Sequence, residues 1–481
     1  MKSFHTFRSL FAFLAAGLLL ASCSKGFEEI NTDPNRISTI SPGTLLNPIL
    51  YEVASFSMQK ADDITFDLMQ VSLPFPSPTG GIHRYDITEN TGSSAWATYY
   101  RWLNNVREMK KAADAAGDAN YRAIALTLNA WIYANLTDCF GHVPMDEAVG
   151  AEAGILQPKY NTQKEVYTKI LSDLDSANKL YVTTKVMSYG TDVLYANNVT
   201  NWKRFTNSLR MRLLLRVSNR AEMNAWDQLR TMMVNPATYP VFTGNDQAAV
   251  LKLTGITPLA SPWGRPQDFT TGRAAAAFFL DSLNALNDPR RAKFASQAKN
   301  SAGSANIGYK GIPSGYAGSE SQFTYTPSNL VQALITAPMS VPILPYAEVE
   351  LIKSEVYFHD NRQDSAKATY ERGTKAAIEQ WGGVLPTDYF SNPAATYNGT
   401  LDRILLQKYY ALFFTDFQQW FEYRRTGLPN LPKGAGMLNG QKMPSRLLYP
   451  IAQRIYNPAN YAAAVQAMGG DNINTKAWWE N

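Results

Sequence analysis

Only two cysteines, Cys23 and Cys139, occur in 481 residues, too few for a disulfide framework or a zinc site built on thiolates. Histidine is as scarce: beyond the N-terminal segment only His83, His142 and His359 occur, far apart, a pattern that suits loop and capping roles better than metal ligation. No run of like charges forms a basic arm. The 45 Lys+Arg and 40 Asp+Glu, formal net charge +5, are dispersed along the chain, which argues against nucleic acid as a partner. After residue 22 no apolar stretch approaches the about 20 residues needed to cross about 30 Å of hydrocarbon. Also missing are H-E-x-x-H, G-x-S-x-G, a strand-led G-x-G-x-x-G, a P-loop and C-x-x-C. Carboxylate pairs such as Asp146/Glu147, Asp173/Asp175 and Glu348/Glu350 are what helix caps and solvated faces produce, whereas a glycosidase needs two acids facing across a cleft. Neither a catalytic residue, a metal nor a cofactor is expected.

The chain does have the composition of an ordinary globular protein, 45% hydrophobic and 18% charged, with ample length to bury a core. Residues 1–22 read as a secretory signal, with Lys2 and Arg8 ahead of or beside an apolar run from Leu10 to Leu20. The run ends in Leu20-Ala21-Ser22-Cys23, similar to the bacterial lipobox, which marks Cys23 for lipidation. Each buried lipid CH₂ contributes roughly 0.8 kcal/mol, so an anchor of more than one acyl chain holds a soluble body stably at a bilayer. Residues 23–40 then read as a polar tether and 41–481 as one domain.

Apolar residues at helical spacing predict helices near 45–56, 95–114, 119–138, 164–181, 201–219, 275–287, 346–359, 364–381 and 402–425. Two adjacent pairs, 95–114 with 119–138 and 346–359 with 364–381, are separated by short stop–start loops and read as antiparallel α-hairpins. Small residues (Ala123, Ala130, Ala134; Ala366, Ala368, Ala376, Ala377) mark where their helices would cross, as in tetratricopeptide-type units. The fold class is therefore mainly α, tetratricopeptide-like hairpins with long irregular segments, notably insertions at 236–345 and 382–401. Gly141 is expected to end its helix in the left-handed region, with Pro144 preventing resumption.

Three motif groups carry a family resemblance. The first is Arg122 to Pro144, ending Asp138-Cys139-Phe140-Gly141-His142-Val143-Pro144. The second is Pro342-Ile343-Leu344-Pro345-Tyr346-Ala347-Glu348 through Glu355. The third runs from Ile404 to Pro429, with Glu422-Tyr423-Arg424-Arg425-Thr426-Gly427-Leu428-Pro429, followed by Arg446-Leu447-Leu448-Tyr449-Pro450 and Trp478-Trp479. With the lipobox, this series resembles the SusD/RagB family of nutrient-binding lipoproteins, in its SusD-like branch; Gln407 and Asp416 depart from the acids many relatives carry there. The resemblance implies a non-catalytic helical superhelix, lipid-anchored in the outer membrane and facing outward, that binds oligosaccharide, less often peptide, as a lid on a SusC-type TonB-dependent transporter. Glu348 and Glu350 read as helix-start caps and ion-pair partners rather than ligand contacts.

Sugar rings stack their C–H faces on aromatic rings while amides and charges fix orientation, so aromatic loops are the place to look. The expected ligand-binding residues are Phe75, His83 and Tyr85; Trp263, Arg265 and Gln267; Tyr309 and Tyr316; and Trp96 at the start of its helix. Two rivals differ in class: a surface glycoside hydrolase with an unrecognised carboxylate pair, and a structural partner that only closes the transporter.

Overall fold

The computed structural model describes residues 40–480. The predicted signal, Cys23 and nearly all of the tether lie outside the described residues. From Pro42 onward the chain packs as one unit. Its principal helices are α1 (Pro42–Lys60), α2 (Ser93–Ala115), α3 (Ala119–Phe140), α4 (Gln163–Leu180), α5 (Val199–Arg216), α6 (Ala225–Val234), α7 (Ala277–Ala285), α8 (Tyr346–His359), α9 (Gln363–Gln380), α10 (Leu401–Ala411), α11 (Gln418–Thr426) and α12 (Pro458–Met468). The fold is mainly α. Among the described residues no helix is long and apolar enough to cross a membrane.

Both expected hairpins form, α2 packing on α3 and α8 on α9. Asp118 begins α3 by accepting hydrogen bonds from the Asn120 and Tyr121 N–H groups at 3.0 and 3.2 Å, satisfying donors that a helix start leaves open. Close approach of α8 to α9 depends on Gly373: a Cβ there would stand 2.8 Å from Leu351 Cγ and 3.2 Å from the Ala347 carbonyl. Ala366, Ala376 and Ala377 are buried at this crossing, but Ala368 faces solvent and takes no part in it.

Three local expectations need correction. The helix expected over 402–425 is two, α10 and α11, because Phe414 and Asp416 take positive φ (62° and 38°). That break turns Phe413 and Phe414 into an aromatic core, where Phe413 stacks on Phe66 at 5.1 Å and lies 4.3 Å from Phe294. Gly141 has φ 84° and ψ −121°, a positive-φ conformation other than the left-handed helical one; no ordinary side chain adopts it easily. The 236–345 insertion is not wholly irregular: the strand Ala249–Leu253 pairs antiparallel with the strand Met339–Leu344, which leads directly into α8.

The three motif groups meet in one buried polar core. Arg212 donates to both Glu348 oxygens, at 2.7 and 2.5 Å, with both side chains 2% exposed. Arg425 grips Glu355 through two bonds, 2.7 and 2.8 Å, and Glu422 at 2.8 Å; Lys408 donates to Glu422 at 2.7 Å. Asp138 accepts from the Tyr167 hydroxyl and from the Trp479 indole N–H, 2.7 Å away, while Arg424 donates to its backbone carbonyl. Charges this deeply buried are tolerated only when paired and hydrogen-bonded, so residues distant in sequence must arrive together for any to be satisfied. Trp479, fully buried, closes the C-terminal end of this core.

Candidate functional site

The aromatic loops converge around a small ribbon. The strand Ser72–Pro74 pairs antiparallel with the strand Arg273–Ala275, Leu73 opposite Ala274, and the Phe75 N–H extends the pairing to the Gly272 carbonyl at 2.8 Å. Phe75 is thereby held half-exposed, its ring 6.0 Å from Phe323. Tyr316 meets Phe323 edge-on at 5.0 Å, and Tyr325 follows at 5.9 Å with the Lys310 ammonium 4.0 Å above its ring. Segments 72–85 and 314–325, far apart in sequence, are clasped by Arg84, which donates to the Ser77 hydroxyl (3.0 Å), the Tyr316 carbonyl (3.1 Å) and the Gly436 carbonyl (2.8 Å).

Trp263 comes from a second loop. Its loop is pinned by Gln59, which donates to the Pro262 carbonyl at 2.9 Å, and by the Ser261 hydroxyl donating to the Ile335 carbonyl at 2.6 Å. The half-exposed indole meets Phe269 and Phe414 edge-on at 5.9 and 6.2 Å. Beyond it Pro266 opens a short helical turn, Pro266–Thr270, that leaves Arg265 and Gln267 exposed; Arg265 pairs with Asp268 at 2.7 Å.

Beneath Trp263 the end of α1 widens into a π-helical turn, Ala61–Thr65, a form seen often at functional sites. It carries Asp62, 7% exposed, whose Oδ1 has no hydrogen-bond partner. Burial raises the Asp62 carboxyl to about 7, against the opposing pull of Arg273 and of a hydrogen bond from Trp263. Arg273 itself donates to Asp67 at 2.6 Å and to the Ser72 carbonyl at 2.7 Å. This arginine links the two sides of the site, since its charge acts on Asp62 and also on His83.

The structure therefore places the nine expected contacts unequally. Phe75, Trp263, Arg265 and Gln267 reach the surface around the ribbon. His83, Tyr85 and Tyr316 belong to the same region but are buried beneath it. His83 stands 2.9 Å from the Ser77 hydroxyl, and burial, aided by Arg84 and Arg273, lowers its pKa to about 4, so the ring is neutral at physiological pH. Tyr309, half-buried, sits apart against Arg291, whose guanidinium lies 5.5 Å over its ring. Trp96 is not part of this assembly: it fills a buried box with Tyr100, Phe140 and Tyr449 at 5.0, 5.2 and 5.7 Å.

The reading from sequence passed over Asp62, Arg273, Phe323 and Tyr325. Asp62-Asp63 looks like a solvated helix face until the π-turn rotates Asp62 inward. Phe323 and Tyr325 were signalled only by the aromatic character of the long segment around them. The other two histidines are structural: His142 accepts the Gln163 N–H at 3.2 Å at the start of α4, and His359 stacks on Trp226 at 4.0 Å. Among the described residues no group of His, Cys, Asp or Glu could hold a metal.

The fold is shared with solved structures at low identity. A SusD homologue from Bacteroides fragilis NCTC 9343 superposes with a TM-score of 0.77 at 22% identity, covering 92% of this chain and 99% of that one. A chitin-binding protein gives 0.78 at 22% identity, covering 92% and 100%. A SusD homologue from Bacteroides ovatus ATCC 8483 gives 0.75 at 21%, covering 91% and 98%. No curated protein sequence matches. Residues 34–450 fit the SusD-like family described as starch-binding and associating with the outer membrane, and the chain belongs to that family.

Proposed function

We propose that this protein captures oligosaccharide at the cell surface, on the face built by segments 72–85, 261–271 and 314–325, and passes it to a SusC-type TonB-dependent transporter. Members of its family bind nutrient at the outer membrane and are not enzymes. The observation that carries the reading is that Trp263 and Phe75 are half-exposed, with Arg265 and Gln267 exposed in the loop after Trp263 and the incompletely bonded Asp62 next to its indole. Indole and phenyl faces take the C–H face of a sugar ring, and the charged and amide groups beside them bond hydroxyls. His83, Tyr85 and Tyr316 support this face from below, Tyr309 flanks it, and Trp96 belongs to the core. Lipidation of Cys23 would hold the body at the outer leaflet, and acyl labelling lost in Cys23→Ala tests that step.

Isothermal titration against a panel of oligosaccharides and peptides tests the capture. At least one glycan is expected to bind, and Trp263→Ala to weaken it by about tenfold or more, the effect of removing an aromatic anchor. A panel that gives no heat, or a variant that binds as well as wild type, contradicts the reading. Product released from the panel would favour a hydrolase instead.

A further inference from the structure

A concavity of about 410 Å³, sharing no lining residue with the loop face, lies where the exit of α3, the first turn of α4 and the last turn of α12 meet residues 476–478. Its ionisable lining is His142, Lys164, Arg424, Arg446 and Lys476, with no carboxylate among the lining residues. Met468, Ala467, Ala477 and Trp478 supply an apolar wall. The volume suits a small molecule.

The ionisable groups of this lining are donors. His142 accepts the Gln163 N–H on Nδ1, so its neutral ring carries the proton on Nε2; burial, aided by Arg446, keeps it neutral by lowering its pKa to about 4. Arg446, 2% exposed, lies over the Tyr449 ring and pairs with Asp471 at 2.8 Å through one nitrogen only; its Nε and Nη2 have no partner. Arg424 is held between Trp420 and Trp479, at 4.8 and 4.5 Å, pairs with Glu480 at 3.2 Å, and leaves Nη2 unmet. Of the acids nearby, Glu165 is held in the α4 capping box with Thr162, while Glu480, Asp471 and Glu222 offset part of the charge of the lining through Arg424, Arg446 and, at 3.8 Å, Lys164. The guanidinium groups keep unmet N–H donors, and no acid lines the wall itself, so the cavity offers an anion donors in surroundings where an unpaired polar group is costly.

We propose that this cavity binds the carboxylate or sulfate ester of an acidic sugar, the anion facing the cationic lining and the ring resting against Met468 and Trp478. The assignment stands independently of the loop face. The full chain is titrated with D-glucuronate, D-glucose 6-sulfate, D-glucose and inorganic sulfate. Glucuronate, glucose sulfate or both are expected to bind and glucose not. The double variant Lys164→Glu/Lys476→Glu, both side chains at the surface, is expected to weaken binding about tenfold, the scale of a lost charge-assisted contact. Ala467→Trp, at an exposed position of the rim, is expected to block it, with circular dichroism showing an intact fold. Binding of inorganic sulfate alone, equal binding of glucose, indifference to both variants, or loss of binding in Trp263→Ala would each overturn the assignment.

Discussion

Glu422 is the shared acceptor of the buried ionic core, and Glu422→Gln tests whether that core holds the fold. One of its oxygens accepts from Lys408 at 2.7 Å and Arg425 at 2.8 Å, and the other lies 3.6 Å from Arg216. All four side chains are at most 8% exposed. Removing one member of a buried ion pair costs about 3–5 kcal/mol, because the remaining charge is left uncompensated. Arg425 keeps its two bonds to Glu355, so Lys408, 3.9 Å from Glu355, is the group left short. The expected loss is therefore near the lower end, about 3 kcal/mol, read as a lowered urea midpoint at unchanged m-value. Lys110→Ala, which breaks an exposed pair with Asp114, should change stability by less than about 0.5 kcal/mol.

Acid dependence gives a second readout of the same variant. Burial alone would raise the Glu422 carboxyl, but Arg425, Lys408 and Arg216 together hold it well below the usual range. A folded pKa below the unfolded one contributes stability above the unfolded value, and that stability disappears as pH falls through the folded value. Wild type should thus lose stability on acidification more steeply than Glu422→Gln. A loss under about 1 kcal/mol, with no change in the acid slope, would refute the reasoning.

Other consequences are as specific. Asp62 is raised by burial from 3.8 to about 7, so the folded protein holds its proton where the unfolded chain has released it; stability falls as pH rises through that window and levels off above it, a total of about 4 kcal/mol. Asp62→Asn should abolish this slope and exceed wild type in stability at pH 8, which denaturant titrations at several pH values would show. Gly373→Ala should destabilise by about 1–3 kcal/mol despite the better helix propensity of alanine, because the added methyl meets Leu351 and the Ala347 carbonyl; an equal or higher urea midpoint would contradict the packing described. Cys139 is buried and its thiol is pushed well above the ordinary range by that burial, so it should resist alkylation until the protein unfolds.

The helical pairs were legible because their signals are local: 3.6-residue periodicity, short stop–start loops, and small residues at the crossings. The motifs could be seen from sequence too, but not what they do. Glu348 reads as an ion-pair partner and pairs with Arg212, whereas Glu355, Glu422, Arg424, Arg425 and Trp479 look like surface charges and a terminal aromatic until tertiary structure buries them. The break at Phe414 and Asp416 went unread since apolar periodicity continues straight through it. The expected site was part visible: loop aromatics marked Phe75 and Trp263, whereas burial of Tyr85, Tyr316 and Trp96 depends on packing partners up to hundreds of residues away. Arg273 and Asp62 carried no local signal, because their roles come from an ion pair and a π-turn.

The most direct test is hydroxyl-radical footprinting with and without a bound oligosaccharide from the titration panel. Protection concentrated at Phe75, Trp263 and Phe323, with Trp96 and Trp479 unreactive in both states, is the predicted result. Protection that spares all three and falls elsewhere on the surface would contradict capture by the ribbon-centred loops.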